Sequence, residues 1–148
     1  MKITLAKALK LKNKKVSVIN KLKERIMENN SYNSKNVPSY NSSRLLEEYN
    51  KEVESLVNLK VAINTANVKI TGSILQLSEI KTKIIMLRSL NTKEGEQTYG
   101  YGSNRTTDVL TATITEIQAD KMVEELELQL ETIQDSIDYF NATTEIEI

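Results

Sequence analysis

The sequence predicts a mainly α protein: an antiparallel helical bundle or coiled coil of three to four long helices, with a small β-hairpin before the last helix. Two observations predict this fold class. Apolar residues recur at the three- and four-residue spacing of a helix face through the first, middle and last parts of the chain. One segment before the last helix instead alternates threonine with apolar residues and is rich in β-branched side chains, which is typical of a strand. At 148 residues and 16.8 kDa, the chain is expected to form a single helical domain spanning residues 1–148.

The first helix is expected from about Thr4 to Glu28, because no glycine or proline interrupts the segment and Thr4 suits the N-cap position. Its apolar positions are Leu5, Leu9, Val16, Ile19, Leu22 and Ile26. Residues 29–43 are rich in Asn, Ser and Tyr and contain Pro38, the single proline. That composition predicts a loop.

The middle of the chain, residues 43–90, is predicted as either two helices or one kinked helix. Helical spacing runs from Leu46 to Ala66 and again from Ile74 to Leu90. Ser73 and Gln76 form a capping-box sequence that predicts a new helix after a break near residues 67–72. The break is the preferred interpretation. The competing one is a single kinked helix, because the three- and four-residue spacing nearly continues across the break.

A second loop, residues 92–106, contains three of the four glycines and precedes the predicted strand at residues 107–115. The tract before that strand offers a partner strand, which would make a hairpin. The glycine-rich tract at residues 99–103 lacks the spacing of a phosphate-binding loop and is interpreted as a hairpin turn.

The last helix carries the clearest pattern in the chain. Its apolar seam steps by four and three residues without interruption, as in a coiled coil, through Ala119, Val123, Leu126, Leu130, Ile133, Ile137 and Phe140. Thr115 and Gln118 form a capping-box sequence at its start. Residues 142–148 are predicted to be either a short strand or a frayed end.

Composition excludes several classes of chemistry. The chain has no cysteine and no histidine, so it has no disulfide, no thiolate nucleophile and no zinc finger, and it lacks the commonest general base and transition-metal ligand. We predict that the protein is not an enzyme and that it has no catalytic residues, cofactor or metal site. No apolar stretch approaches the length of a membrane span, and the first ten residues lack the apolar core of a secretion signal. A cytoplasmic location is therefore expected.

Charge is divided between the two ends of the chain although the net charge is zero. Residues 1–36 carry ten Lys and Arg against two Glu, which is 10 − 2 = +8, and residues 111–148 carry one Lys against ten Asp and Glu, which is 1 − 10 = −9. Helical spacing places the charges of each end on one face, and these faces are expected to pair with each other within or between chains. The residues concerned are Lys7, Lys10, Lys14, Lys21 and Arg25 on the first helix, and Asp120, Glu124, Glu127 and Glu131 on the last.

Four short motifs, taken in order, resemble a family of small bacterial proteins that often carry the label "septicolysin". They are Leu5-Ala6-Lys7-Ala8-Leu9, Ile63-Asn64-Thr65-Ala66-Asn67, the threonine-rich strand, and Asn141-Ala142-Thr143-Thr144-Glu145-Ile146. Where that family has a tryptophan near the last motif, this chain has Ala142. The resemblance implies a mainly helical, self-associating protein and supplies no reaction or catalytic residue.

The predicted function is that of a structural or scaffolding protein whose partner is itself. The seam of the last helix is expected to hold the homo-oligomer together through Val123, Leu126, Leu130, Ile133, Ile137 and Phe140. The alternative is binding of nucleic acid or of an anionic surface through the basic first helix. The chain has only four arginines and no aromatic residue among the lysines of that helix, so nucleic acid and membrane are the less favoured partners. No small-molecule substrate is evident.

Overall fold

The computed structural model describes residues 1–148, and it is mainly helical, which confirms the predicted class. The chain contains four long helices and two antiparallel strand pairs. In order they are β1 (Lys2–Thr4), α1 (Leu5–Asn29), α2 (Ser42–Asn67), α3 (Thr71–Arg88), β2 (Gly95–Tyr99), β3 (Thr106–Leu110), α4 (Glu116–Thr143) and β4 (Glu145–Glu147). A 3-10 turn, Val68–Ile70, lies between α2 and α3, and another, Gly102–Asn104, lies between β2 and β3.

The chain divides into two compact units. Unit 1 consists of Met1–Thr71 together with Asp138–Ile148, and unit 2 consists of Gly72–Ile137. Unit 1 therefore contains β1, α1, α2, the end of α4 and β4, whereas unit 2 contains nearly all of α3, the β2–β3 hairpin and most of α4. The single domain over residues 1–148 stays a prediction.

Two side-chain caps fix where the helices of unit 1 begin. Thr4 is the N-cap residue of α1, as predicted, and its Oγ1 accepts a hydrogen bond from the backbone N–H of Lys7 at 3.4 Å. Asn41 caps α2, and its Oδ1 accepts from the N–H of Arg44 at 3.1 Å. Each cap satisfies one of the N–H groups that the first turn of a helix leaves unpaired. Between the two helices lies the predicted loop, now residues 30–41.

The core of unit 1 joins the two ends of the sequence. Leu5, Ala8, Leu59, Ile63 and Ile146 form one buried cluster from α1, α2 and β4. Leu5 and Ala8 have no exposed surface at all. Apolar burial of this kind is the main favourable contribution to folding.

Of the two alternatives predicted for residues 142–148, the structure shows the short strand, β4. β4 pairs antiparallel with β1, with Lys2 opposite Glu147, Ile3 opposite Ile146 and Thr4 opposite Glu145. The N–H of Leu5 also donates to the carbonyl oxygen of Thr144 at 2.8 Å, so pairing continues into the first turn of α1.

The structure places a single 3-10 turn between α2 and α3. Asn67, Val68 and Thr71 all keep right-handed helical dihedral angles, and the Thr71 hydroxyl donates to the carbonyl oxygen of Asn67 at 3.0 Å. The predicted capping role of Ser73 is wrong, because α3 begins before it at Thr71. The observed arrangement is intermediate between two separate helices and one kinked helix. The hydrogen-bond pattern changes over three residues, but the backbone stays in the helical region.

The hairpin of unit 2 confirms the predicted strand pair and corrects its length. β2 and β3 are antiparallel, with Gly95 opposite Leu110 and Tyr99 opposite Thr106. β3 ends at Leu110, so the predicted strand residues 111–115 lie outside it. The glycine tract forms the connection, where Gly100 has a φ of 93° and Gly102 a φ of 64°, values that favour glycine.

The core of unit 2 joins α3 to α4. Ile80, Ile84 and Leu87 of α3 form a buried cluster with Val123 and Leu126 of α4. These five residues occupy one stripe on each helix, at the spacing that the sequence predicts.

Candidate self-association surfaces

The apolar seam of α4 is used largely inside the chain. Val123 and Leu126 are buried against α3, and Leu130 and Ile133 are half-buried beside the same cluster in unit 2. Ile137 is also buried, and Phe140 packs on the core of unit 1. These six residues are the ones the sequence assigns to contacts between copies. The structure gives them contacts within one chain, and their role between copies stays a prediction.

A second set of apolar residues on the same helices faces solvent instead. On α3, Leu75 is 61% exposed and Ile85 is 66% exposed, and on α4, Ile117 is 81% exposed and Leu128 is 65% exposed. The buried residues of α3 already contact α4, so this helix is apolar on both sides. Exposed apolar residues on the side of α3 that lies away from α4 indicate a surface that a further contact covers.

The spacing of the main apolar face does not include these α3 residues, although the sequence of α3 contains a sign of a second apolar face. Leu75 follows Ile74, and Ile85 and Met86 lie between Ile84 and Leu87. Adjacent helical residues cannot share a face. A run of four apolar residues in a helix therefore indicates two apolar faces rather than one.

All nine residues of the predicted charge-pairing set are exposed. Two ion pairs of the chain each join neighbouring helices of one unit. In unit 1, Lys15 of α1 binds Glu52 of α2 with 2.8 Å between Nζ and Oε2. In unit 2, Arg88 of α3 binds Glu127 of α4. Among these nine residues, Glu127 therefore forms an ion pair, and its partner Arg88 does not belong to the predicted charge-pairing set.

Arg25 is held in a different way from the lysines of the basic face. Its guanidinium lies 4.8 Å from the centre of the Tyr40 ring, on the loop between α1 and α2. Arginine stacks well on aromatic rings. This contact orients the side chain and leaves its charge available at the surface, where Arg25 is exposed.

An open groove of about 470 Å³ in unit 1 brings lysine and serine side chains together. Lys15, Lys51 and Ser55 line it, over an apolar floor that includes Leu11 and Leu59. The helix pattern does not predict that Lys15 joins Lys51 and Ser55, although Lys51 and Ser55 are four residues apart on one helix face. A lysine that serves as a base must be neutral, which burial favours. Lys51 is exposed and Lys15 is bound to Glu52, so the groove lacks that arrangement.

The structure contains no group of three or more acidic, histidine or cysteine side chains placed to hold a metal ion. None of its helices combines the length and the apolar character that crossing a membrane requires. Comparison of the chain with protein-family models, with curated proteins and with solved structures finds no match.

Proposed function

We propose that this protein is a non-enzymatic helical scaffold that assembles from copies of itself. The observation that supports the proposal is the exposure of large apolar residues on the outer sides of both helices of unit 2, Leu75 and Ile85 on α3 and Ile117 and Leu128 on α4. Burying an exposed side chain of this size contributes about 1.5–3 kcal/mol. Association also costs translational and rotational freedom, so a stable complex requires that several such residues per copy are buried together.

The proposed arrangement is an antiparallel bundle or coiled coil, in which α3 and α4 of one copy pack beside helices of another. The unbroken four-three spacing of the α4 seam supports this geometry, because that spacing is the one on which coiled coils are built. Half-buried Leu130 and Ile133 lie at the margin of the α3–α4 core. A neighbouring helix would complete their burial.

The family resemblance supports the same proposal from a different direction. Leu5 and Ala8 of the first motif, Ile63 of the second and Ile146 of the last meet in the core of unit 1. These motifs therefore include side chains that fix the packing, and we propose that the chain shares the family's helical, self-associating character.

Light scattering coupled to size exclusion tests the proposal. At 20 μM and 150 mM salt we expect a particle of at least twice the 16.8 kDa chain mass. The variant Ile85→Ser should shift the particle towards the monomer, because it removes an exposed apolar contact without touching the core. Gln76→Ser is the matched control, because Gln76 is exposed on the same helix and lies nine residues from Ile85, half a turn around the helix. A 17 kDa particle for the unaltered protein would overturn the proposal.

A second candidate function is binding of a polyanion through α1. The exposed basic face of that helix supports it, with Lys7, Lys10, Lys14 and Lys21 all at the surface. Binding through lysines to phosphate or sulfate groups weakens steeply as salt increases. We would test it by retention on heparin at 50 mM salt, and elution in the flow-through would exclude it.

A further inference from the structure

The charged faces of α1 and α4 have the same length and the same internal spacing. We call the residues Lys7, Lys10, Lys14, Lys21 and Arg25 the basic stripe, and the residues Asp120, Glu124, Glu127, Glu131, Asp135 and Asp138 the acidic stripe. Each stripe spans 18 residues (25 − 7 and 138 − 120), which is five turns at 3.6 residues per turn and about 27 Å. Because the span is a whole number of turns, both stripes run straight along their helices.

When the helices are set antiparallel, the two stripes coincide position by position. The acidic stripe followed backwards from Asp138 steps by 3, 4, 4, 3 and 4 residues. The basic stripe followed forwards from Lys7 takes the same steps, provided that Val18 is counted at its fourth position. In this register, opposed residues have numbers that add to 145. The opposed pairs are Lys7 with Asp138, Lys10 with Asp135, Lys14 with Glu131, Val18 with Glu127, Lys21 with Glu124, and Arg25 with Asp120.

The one uncharged position in the register is matched by a carboxylate that already has a partner. Val18 opposes Glu127, and the Glu127 carboxylate binds Arg88 of its own unit. The bond to Arg88 compensates the charge of the one carboxylate that faces an apolar side chain in this register. The pairs on either side, Lys14 with Glu131 and Lys21 with Glu124, both join opposite charges.

The residues of both stripes stay at the surface of the single chain. Lys10, Lys14 and Lys21 are exposed, and so are Asp120, Glu124 and Glu131. The basic side chain of α1 that does form an ion pair is Lys15, which lies outside the stripe and binds Glu52. A partner outside the chain can therefore reach the charges of both stripes at Lys10, Lys14, Lys21, Asp120, Glu124 and Glu131.

We infer that the basic stripe of α1 docks antiparallel on the acidic stripe of α4 in a second copy of this chain, in the register where residue numbers add to 145. This inference rests on the proposed self-association and specifies the surface that directs it. Complementary charge sets register and association rate more than affinity. The exposed apolar residues supply the attraction, and the stripes determine which helix of one copy meets which helix of the next.

Charge exchange at two opposed pairs tests the register. Lys14→Glu with Lys21→Glu should weaken self-association by at least about tenfold at 50 mM salt, because two attractive pairs become repulsive. Glu124→Lys with Glu131→Lys should do the same. The variant that carries all four substitutions should recover association to within about threefold of the unaltered protein, since both pairs are restored with their charges exchanged.

Control substitutions of the same kind, one Lys→Glu and one Glu→Lys, use exposed residues outside the stripes, and together they leave the net charge unchanged, as the four-substitution variant does. Lys23 is two residues from both Lys21 and Arg25, about 200° around the helix, and Glu125 lies off the acidic stripe on α4. Lys23→Glu with Glu125→Lys should change association by less than about twofold. Circular dichroism of every variant establishes that it is folded, and substitution of exposed residues is expected to preserve the fold.

Cross-linking distinguishes a contact between copies from one within a chain, because the protein has no cysteine of its own. Lys14→Cys with Glu131→Cys should be joined by a short bis-maleimide into a covalent dimer. Lys14→Cys with Asp120→Cys, about three helical turns out of register, should not. A cross-linked monomer would overturn the inference, as would a four-substitution variant that fails to recover. If the unaltered protein assembles and both double variants assemble equally well, the register is wrong and the scaffold proposal stands. If the unaltered protein is a monomer, both fail.

Discussion

Thr115 and Gln118 cap the start of α4 by exchanging hydrogen bonds. The backbone N–H of Gln118 donates to Oγ1 of Thr115 at 3.2 Å, and the N–H of Thr115 donates to Oε1 of Gln118 at 3.0 Å. This is the reciprocal capping box that the sequence predicts, and it places the first residue of α4 at Glu116. A negative side chain there also suits the positive end of the helix dipole.

Thr115→Ala should lower the free energy of unfolding by about 1 kcal/mol, because it removes the side-chain acceptor that caps α4. Urea denaturation followed by circular dichroism measures the change. Thr113→Ala is the control, since Thr113 is exposed and precedes the capping box. Equal effects of the two substitutions would contradict the capping role.

The cap and the helix spans could be predicted because each depends on residues within a few positions of one another. Thr4 caps α1 and Thr115 caps α4 through contacts three residues away, and the glycine-rich turn lies between the two strands that it connects. The use of the surfaces could not be predicted in the same way. A seam such as Val123 and Leu126 looks alike in sequence whether it is covered by α3 or by another chain.

The neighbouring residues Ile84 and Ile85 provide a matched pair that separates stability from association. Ile84 is 6% exposed in the α3–α4 core, and Ile85 is 66% exposed. Ile84→Ala should destabilise the chain by about 2–5 kcal/mol, because it leaves a cavity. Ile85→Ala should change the stability of the monomer by less than about 0.5 kcal/mol. Chemical denaturation at low micromolar concentration measures both.

The concentration dependence of unfolding gives the second half of that comparison. If Ile85 lies in a contact between copies, Ile85→Ala should reduce the rise in unfolding midpoint with protein concentration, because association stabilises the folded state by mass action. Ile84→Ala should lower the midpoint at every concentration. A midpoint independent of concentration for the unaltered protein would contradict association.

Two glycines should respond to the same substitution with opposite signs. Gly100 has a φ of 93°, and a Cβ there would collide with the backbone carbonyl oxygen of Asn104. Gly100→Ala should therefore disturb the hairpin turn and destabilise unit 2. Gly72 lies in α3 with open space around it, so Gly72→Ala should stabilise the chain by about 0.5–1 kcal/mol through helix propensity.

Thermal unfolding checks both signs, since about 1 kcal/mol corresponds to a shift of about 2–4 °C in a chain of this size. Gly100→Asn offers a further check, because asparagine tolerates a positive φ better than alanine does. It removes only part of the strain, since its Cβ meets the same carbonyl. A rise in melting temperature for Gly100→Ala would contradict the turn geometry.

The pairing of β1 with β4 is the feature that is hardest to predict from sequence patterns. A short strand at residues 142–148 is one of the two predicted alternatives, but the sequence does not indicate its partner, because β1 has only three residues and lies at the opposite end of the chain. What holds them is burial: Ile146 of β4 is 8% exposed in a core with Leu5 of α1 and Ile63 of α2. An isolated two-stranded pair of this length would not persist in water.

Ile146→Ala should therefore release the pair and destabilise unit 1 by about 2–5 kcal/mol, the cost of a cavity in a core. Ile148→Ala is the matched control, because Ile148 is 41% exposed and lies just beyond β4. Amide hydrogen exchange at Leu5 reads out the pair directly, since its N–H donates to the carbonyl oxygen of Thr144 across the two ends. Exchange there should accelerate strongly in Ile146→Ala and change little in Ile148→Ala. Unchanged protection at Leu5 in Ile146→Ala would mean that backbone hydrogen bonds, rather than burial of this side chain, hold the ends of the chain together.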